Sequence, residues 1–269
     1  MRLSGHCADG WGDVTAGRFA SRAKEKRVQR LLGLTRSLVI YHNPATTRAW
    51  RRLYAELLTP GDLAIDVGAH VGTRARAMRR AGARVVALEP QRLFARYLRY
   101  TLPRDIVLIE AAAGACEATA ELAVSSRHPT VSSLREGFVK DAAAAPGFEH
   151  VHWDQSERVP VLTLDSLVER YGEPAFIKID VEGFEDQVLA GLSRAPRMLS
   201  VEYLPAFPAL SHAVMDRLEA LGTFAFNPVV GERSGFLWSD WRSASATRDW
   251  LTSLPEEAPS GDLFARRAA

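Results

Sequence analysis

The stretch 63–90, LAIDVGAHVGTRARAMRRAGARVVALEP, is compatible with few folds. An apolar run, Leu63-Ala64-Ile65, meets an acid, Asp66, and then two glycines four apart, Gly68 and Gly72. A segment of helical spacing follows over 73–81, closed by Gly82, and a second apolar run over 84–88 ends on Glu89-Pro90. A fully buried parallel strand reads as a continuous apolar run. Glycine in the turn lets backbone come close to a ligand, because no Cβ stands in the way. Strand, Gly-bearing turn, helix, strand and acid, in that order, predict the first half of a nucleotide-binding βαβ unit.

The spacing also narrows the ligand. A dinucleotide fingerprint wants a middle glycine and a third further on, whereas here the pattern is Asp66-x-Gly68-x-His70-x-Gly72. Histidine is one of the side chains that tolerate positive φ, so the chain can still turn at His70. No phosphate needs a seat if the ligand is S-adenosylmethionine, whose amino-acid carboxylate suits the N–H groups at the helix start. Asp66, Gly68, Ala69, His70 and Gly72 are then the expected contacts along the turn. Glu89, with Pro90 behind it, is placed to accept the ribose hydroxyls. The small bend 112–114, beginning at Ala112, is suited to packing against an adenine ring.

The remaining pattern extends this unit into an α/β sheet. Helical spacing over 47–58 stops at Thr59-Pro60-Gly61, and a second helix is expected at 93–102, with Phe94, Tyr97 and Leu98 inward. Strands are expected at 105–111, 175–180 and 198–203, and the last two, at 223–227 and 262–266, as a reversed hairpin. Asp165 is expected to cap a helix over 166–171. Trp238, Trp241, Trp250 and Leu251 are expected to pack on the outside of the final hairpin. About sixty residues separate the third strand from the next parallel one, far more than the two to six usual in a βα loop. Two alternating segments within them, 119–124 and 159–164, are expected to pair. The stretch 115–165, with His128, His150, His152 and Trp153, reads as a lid over a substrate.

Charge is uneven although the formal net charge is only +2. Residues 1–60 hold eleven Arg and Lys against four Asp and Glu. Much of this lies in 18–36, read as a helix whose Val28, Leu31 and Leu32 dock on the body. Its basic face is either solvated or an electrostatic patch for an anionic substrate or a membrane surface. We take 1–58 as a basic helical extension and 59–269 as the catalytic domain. No run approaches the roughly 18 apolar residues of a membrane span, and the first residues lack the apolar core of a signal peptide. Two cysteines, Cys7 and Cys116, are too few for a zinc site or a disulfide framework. A cytoplasmic location is the expectation.

Ligands of open α/β sheets sit at the carboxyl ends of the strands. Asp66, Glu89, Asp180 and Glu202 all fall near such ends. Methyl transfer to a hydroxyl depends on positioning and gains from a base that removes the proton. Asp180 is the first candidate for that base, with Glu182 as its alternative. Both acids could instead merely cap the helix that follows. Metal is not required, though Asp180 and Glu202 could hold one divalent cation.

Two stretches together resemble one family. They are Gly61-Asp62-Leu63-Ala64-Ile65-Asp66-Val67-Gly68-Ala69-His70-Val71-Gly72, and Thr163-Leu164-Asp165-Ser166-Leu167 followed by Phe176-Ile177-Lys178-Ile179-Asp180-Val181-Glu182-Gly183-Phe184-Glu185. Both are similar to the FkbM-type methyltransferases, a branch of the class I S-adenosylmethionine-dependent fold. The resemblance implies a Rossmann-like three-layer α/β sandwich with a seven-stranded, mostly parallel sheet, one strand reversed, plus N-terminal helices. It implies O-methylation of a small molecule, sugar or secondary metabolite, with Asp66, Gly68, Gly72 and Glu89 on the cofactor. Rival readings are an RNA methyltransferase gripping phosphates through the basic N-terminus, and a non-catalytic scaffold that keeps the fold. The acceptor hydroxyl and a homo-oligomeric state stay open at this point.

Overall fold

In a computed structural model of the chain, which describes residues 29, 32–39, 41, 43–135, 151–231, 233 and 235–268, the unit read from 63–90 is the centre of the sheet. Strand β1 (Leu63–Val67) is followed by helix α2 (Thr73–Arg80) and strand β2 (Arg84–Leu88). Helix α1 (Pro44–Leu57) precedes them. It starts where the sequence supplies a cap: the Asn43 side chain accepts the Ala45 N–H, and Pro44 occupies the first turn, where no N–H is needed. After β2 come α3 (Arg92–Thr101), β3 (Ile106–Ile109), β4 (Ala112–Ala113), β5 (Ala118–Val124), β6 (Gln155–Leu162) and α4 (Leu164–Tyr171). The second half holds β7 (Phe176–Ile179), α5 (Glu185–Ala190), β8 (Met198–Tyr203), α6 (Pro208–Leu221), β9 (Phe224–Val230), α7 (Ala244–Ser253) and β10 (Gly261–Arg267).

Seven strands form one sheet in the order β3-β2-β1-β7-β8-β10-β9. All pairs are parallel except those made by β10, which runs antiparallel to both β8 and β9. The sheet is therefore mostly parallel with one reversed strand, and the order turns outward in both directions from β1 and β7. That switch point is where ligands of open α/β sheets bind.

Period-two alternation assigns each strand residue to a layer. Leu63, Ile65, Val67, Ile177, Ile179, Leu199 and Val201 face α4, α5, α6 and α7, where Leu167, Val188, Leu189, Met215 and Leu251 meet them. Ala64, Phe176 and Phe264 face the other way, against Trp50, Leu53 and Tyr54 of α1, Ala75 and Met78 of α2, and Leu98 of α3. The three layers follow from that sorting. Trp50 and Tyr54 are almost fully buried, so α1 contributes to the same core as the strands.

The segments expected to pair in the long connection do so, as β5 and β6, antiparallel. The bend expected at 112–114 differs. Ala112 and Ala113 leave the main sheet and pair parallel with Val161 and Leu162, making a second, three-stranded sheet in the order β4-β6-β5. The third strand ends at Ile109 rather than 111, and the chain next pairs through Ala112 and Ala113 in the smaller sheet. The cap expected of Asp165 is made by Thr163, whose Oγ1 accepts the Ser166 N–H at 3.1 Å. Thr163 is the last extended residue, and Asp165, already inside the helix, accepts the Ser193 N–H at 2.9 Å.

Trp250 packs edge-on to Tyr203 and Trp238 on one side of the final pair, and Phe236 and Trp241 pack with Phe264 on the other. Most of the basic segment 18–36, with Val28 and Leu31, lies outside the described residues, as do 136–150 with His150. A helical segment spans 32–39. Leu32, expected to dock, is 63% exposed; Ser37 on the opposite face is buried at 2%. Among the described residues no helix is long and apolar enough to cross a membrane.

Candidate active site

The turn after β1 is shaped by a close approach of two backbones. Gly68 has φ +80°, and a Cβ there would lie 1.9 Å from the Asp180 carbonyl oxygen. The loops leaving β1 and β7 can touch only if this position is glycine. The Gly68 and Ala69 N–H groups donate to the Leu88 carbonyl, and His70 takes φ +51°, the left-handed conformation expected of it. Its N–H donates to Glu89 Oε2 at 2.7 Å, while Glu89 Oε1 accepts the Gln91 N–H at 2.9 Å. The acid at the tip of β2 is thus fixed by two backbone amides. Burial pushes its pKa up to about 8, against the lowering effect of those two hydrogen bonds. The His70 ring sits between Tyr41 and Phe94, edge-on to both, at 5.0 and 4.2 Å between centroids.

A cleft opens at this switch point. Gly68, His70, Glu89, Pro90, Ala112, Asp180, Glu182 and Glu202 all line it, eight of the eleven residues singled out from the sequence. Asp66, Ala69 and Gly72 do not line it. Ala69 lies behind the turn, and Gly72, at φ +76°, starts α2. Asp66 is fully buried below the floor.

The reason for Asp66's position is a residue that sequence reasoning passed over. Asp66 pairs in register with Lys178 across β1 and β7, and Asp180 lies two residues further on, hence on the same face as Lys178. The Lys178 ammonium lies 2.9 Å from Asp180 Oδ2 and 3.7 Å from Asp66 Oδ1, with its side chain only 3% exposed. Burial would lower its proton affinity, but Asp180 and Asp66 outweigh this and hold it charged. Burial raises Asp66 to about 6 despite that cation. Asp180 is held below the usual carboxylate range: burial acts upward, and the charge and hydrogen bond of Lys178 overcome it. The available signal was polar residues at alternate places, Lys178 and Asp180, in a strand otherwise apolar.

Three carboxylates converge beyond the turn. Oxygens of Asp180, Glu182 and Glu202 all lie within 4.8 Å of one another. Burial, and then the neighbouring Asp180, push Glu182 well above the ordinary value; burial and then Glu182 do the same for Glu202. Such a cluster can share a proton, accept a hydroxyl or bind a cation. The alternative that Asp180 and Glu182 cap the next helix is not what the turn shows. That helix has no side-chain cap; its first residue, Glu185, instead braces the turn, its Oε1 accepting the Val181 and Gly183 N–H groups at 3.0 and 3.2 Å. Glu182 itself has φ +55°, and its carbonyl accepts the Ser133 hydroxyl at 2.7 Å.

The segment 125–135 covers the cleft and is tied down from several sides. Gln91 Nε2 donates to the Pro129 carbonyl at 3.1 Å and to Ser132 Oγ at 2.6 Å. Trp153 Nε1 donates to the Val131 carbonyl at 2.7 Å, and Arg135 pairs with Asp186 of α5. Tyr41, Gln91, Phe94, Pro129 and Ser132 join the cleft wall from elements the sequence did not connect.

The residues fit an adenosyl cofactor. Gly68 lines the cleft, Glu89 is held at its edge by two backbone amides, and Phe94 with Ala111 and Ala112 gives an apolar wall. The sequence profile of the methyltransferase FkbM domain matches residues 66–254. No protein of curated function matches the chain at a significant level. Among solved structures, a TehB-like SAM-dependent methyltransferase from Corynebacterium glutamicum is similar at 11% identity and a TM-score of 0.46, over 92% of this chain and 100% of its own. An O-methyltransferase from Bacillus cereus in complex with SAH is similar at 12% and 0.43, over 88% and 90%. A magnesium protoporphyrin IX methyltransferase from Synechocystis, with bound SAM, is similar at 12% and 0.42, over 87% and 84%. With the profile covering most of its length and the glycine turn, Glu89 and the Lys178–Asp180 strand end all inside the match, the chain belongs to the FkbM family of S-adenosylmethionine-dependent methyltransferases.

Proposed function

We propose that the protein methylates a hydroxyl oxygen of a small molecule, sugar or secondary metabolite. The observation that carries this reading is the convergence of Asp180, Glu182 and Glu202 on the cleft that Glu89 and the glycine turn also line. Bound S-adenosylmethionine supplies an electrophilic methyl on a sulfonium, which leaves as a neutral thioether. The chain does the rest. Glu89 accepts the two ribose hydroxyls, and Gly68 and His70 let the turn lie along the amino-acid end. Ala112 and Phe94 cover the adenine.

An alcohol has a pKa far above 7 and gains from a base whose own pKa lies near the working pH. Asp180, the first candidate from sequence, is engaged by Lys178 and has lowered proton affinity. Glu182 has its proton affinity raised by burial and by Asp180, so it holds a removed proton more readily. We therefore assign proton removal to Glu182, with Glu202 accepting a hydrogen bond from the acceptor, and assign to Asp180 the fixed negative charge facing the cationic cofactor. Lys178 also competes with a divalent cation for Asp180, so turnover should persist in excess EDTA. The described parts of 115–165, residues 115–135 and 151–165, act as the lid that excludes water, and 1–58 is read as a basic extension.

The test is incubation with S-adenosylmethionine carrying a labelled methyl group, against a panel of hydroxylated acceptors, read by mass spectrometry and NMR. The expected product gains one methyl on oxygen. Label found only on nitrogen or carbon would overturn the oxygen assignment.

A further inference from the structure

The cofactor cleft does not end at the three carboxylates. Beyond Glu182, Glu202, Tyr41 and Ser260, which line both spaces, it continues into a second chamber of about 360 Å³. That volume alone falls within the roughly 300–1,000 Å³ typical of ligand sites. The far wall has the opposite electrostatic character. It carries Arg36 from the helical segment 32–39, and Arg127 and His128 from the lid segment. Arg36 and Arg127 are both exposed, and neither has an ion-pair or hydrogen-bond partner among the described residues.

The two walls are held together by packing. A Cβ on Gly33 would lie 2.7 Å from Pro129 Cδ, so the helical segment presses on the lid at a place where only glycine leaves room. Pro129 is in turn fixed by Gln91 of the cofactor cleft. The N-terminal segment is therefore a wall of the chamber, which places one of its basic side chains in the path of an acceptor.

Resting on the methyl-transfer reading above, we infer that the acceptor is an anionic polyol: a small hydroxylated molecule that also carries a phosphate or carboxylate group. Its hydroxyl lies at Glu182 and Glu202, and its anion at Arg36 and Arg127. Guanidinium forks recognise either anion through paired, charge-assisted hydrogen bonds. A neutral acceptor would leave both cations without a partner. An acceptor with its anion near the carboxylates would be repelled, so the charge pattern also fixes which end of the molecule meets the methyl group.

The experiment is titration calorimetry of the full chain saturated with S-adenosylhomocysteine. The probes are inorganic phosphate, a hexose 6-phosphate, a hexuronate and the neutral hexose. The hexose 6-phosphate or the hexuronate should bind at least about tenfold more tightly than the neutral hexose, the worth of one charge-assisted hydrogen bond or more. Which of the two binds better separates phosphate from carboxylate. In the Arg36→Ala/Arg127→Ala variant that preference should vanish and inorganic phosphate binding should be lost, while affinity for S-adenosylhomocysteine stays within about twofold. Equal affinity for charged and neutral sugars, or a preference for the charged sugar that native and variant proteins share, overturns the inference. A failure of S-adenosylhomocysteine to bind the native chain would instead overturn the methyl-transfer reading.

Discussion

Lys178→Met removes the cation between two acids and keeps the shape of the side chain. Asp66 is fully buried, and the Lys178 ammonium lies 3.7 Å from its Oδ1. At an effective dielectric of 20, a pair at this distance interacts with about 4 kcal/mol, and deleting one partner of a buried pair costs about 3–5 kcal/mol. Asp180 contributes less to that loss, since its side chain is 38% exposed and water can replace the ammonium. Protonation of Asp66 limits the damage. Its pKa is already raised to about 6, and without Lys178 it rises further. A carboxyl raised in the folded state favours folding below its unfolded pKa and loses that contribution as pH rises through the folded value. The variant's deficit should therefore grow with pH, by up to about 1.4 kcal/mol per unit, from about 1–2 kcal/mol at pH 5 to about 3–5 kcal/mol at pH 8. Guanidinium chloride unfolding followed by circular dichroism measures it. Adding Asp66→Asn should restore at least half the loss at pH 8 by removing the orphaned charge. A deficit that does not change with pH, or a double variant whose losses simply add, would refute the placement of this cation.

Other perturbations test the rest of the site. Glu89→Ala should weaken S-adenosylhomocysteine binding by about 1–3 kcal/mol in calorimetry; unchanged affinity would remove Glu89 from the ribose. Because Glu89 is pushed up to about 8 and the ribose hydroxyls favour its ionised form, cofactor affinity of the native protein should rise from pH 6 to 8 and level off above. Asp66, Glu185 and Glu89 are all raised, to about 6, 7 and 8, so the unliganded protein should lose thermal stability as pH rises from about 5 to 9; a flat profile would count against all three. Glu182→Gln should reduce turnover by about 10²–10⁴ with cofactor affinity nearly intact, and normal turnover would make Glu182 a positioning group. Gly68→Ala places a methyl 1.9 Å from the Asp180 carbonyl at φ +80°, so it should cost about 2 kcal/mol or more of stability and abolish cofactor binding together.

Elements whose order depends on local pattern were legible in the sequence. The apolar runs at β1, β2, β7 and β8, the glycine turn at 68–72 and the final reversed pair all carry their period and punctuation on their face. Contacts between distant segments were not. Ala112 and Ala113 read equally well as a turn, since only the position of Val161 and Leu162 makes them a strand. Lys178 reads as an ordinary charged residue until β1 and β7 are aligned and Asp66 is found beside it. Glu185 lies outside the acids at the strand tips, and its role comes from a loop that folds back on its carboxylate. The chamber beyond the carboxylates joins residues 36 and 127 through the packing of Gly33 on Pro129, which no local window contains.

The central claim is that this cleft binds an adenosyl cofactor between the glycine turn and Glu89. A crystal structure of the chain with S-adenosylhomocysteine tests it most directly. Density should lie along Gly68 and His70, with both ribose hydroxyls on Glu89 and the sulfur facing Asp180 and Glu182. Density elsewhere on the molecule, or none at saturating ligand, would contradict it.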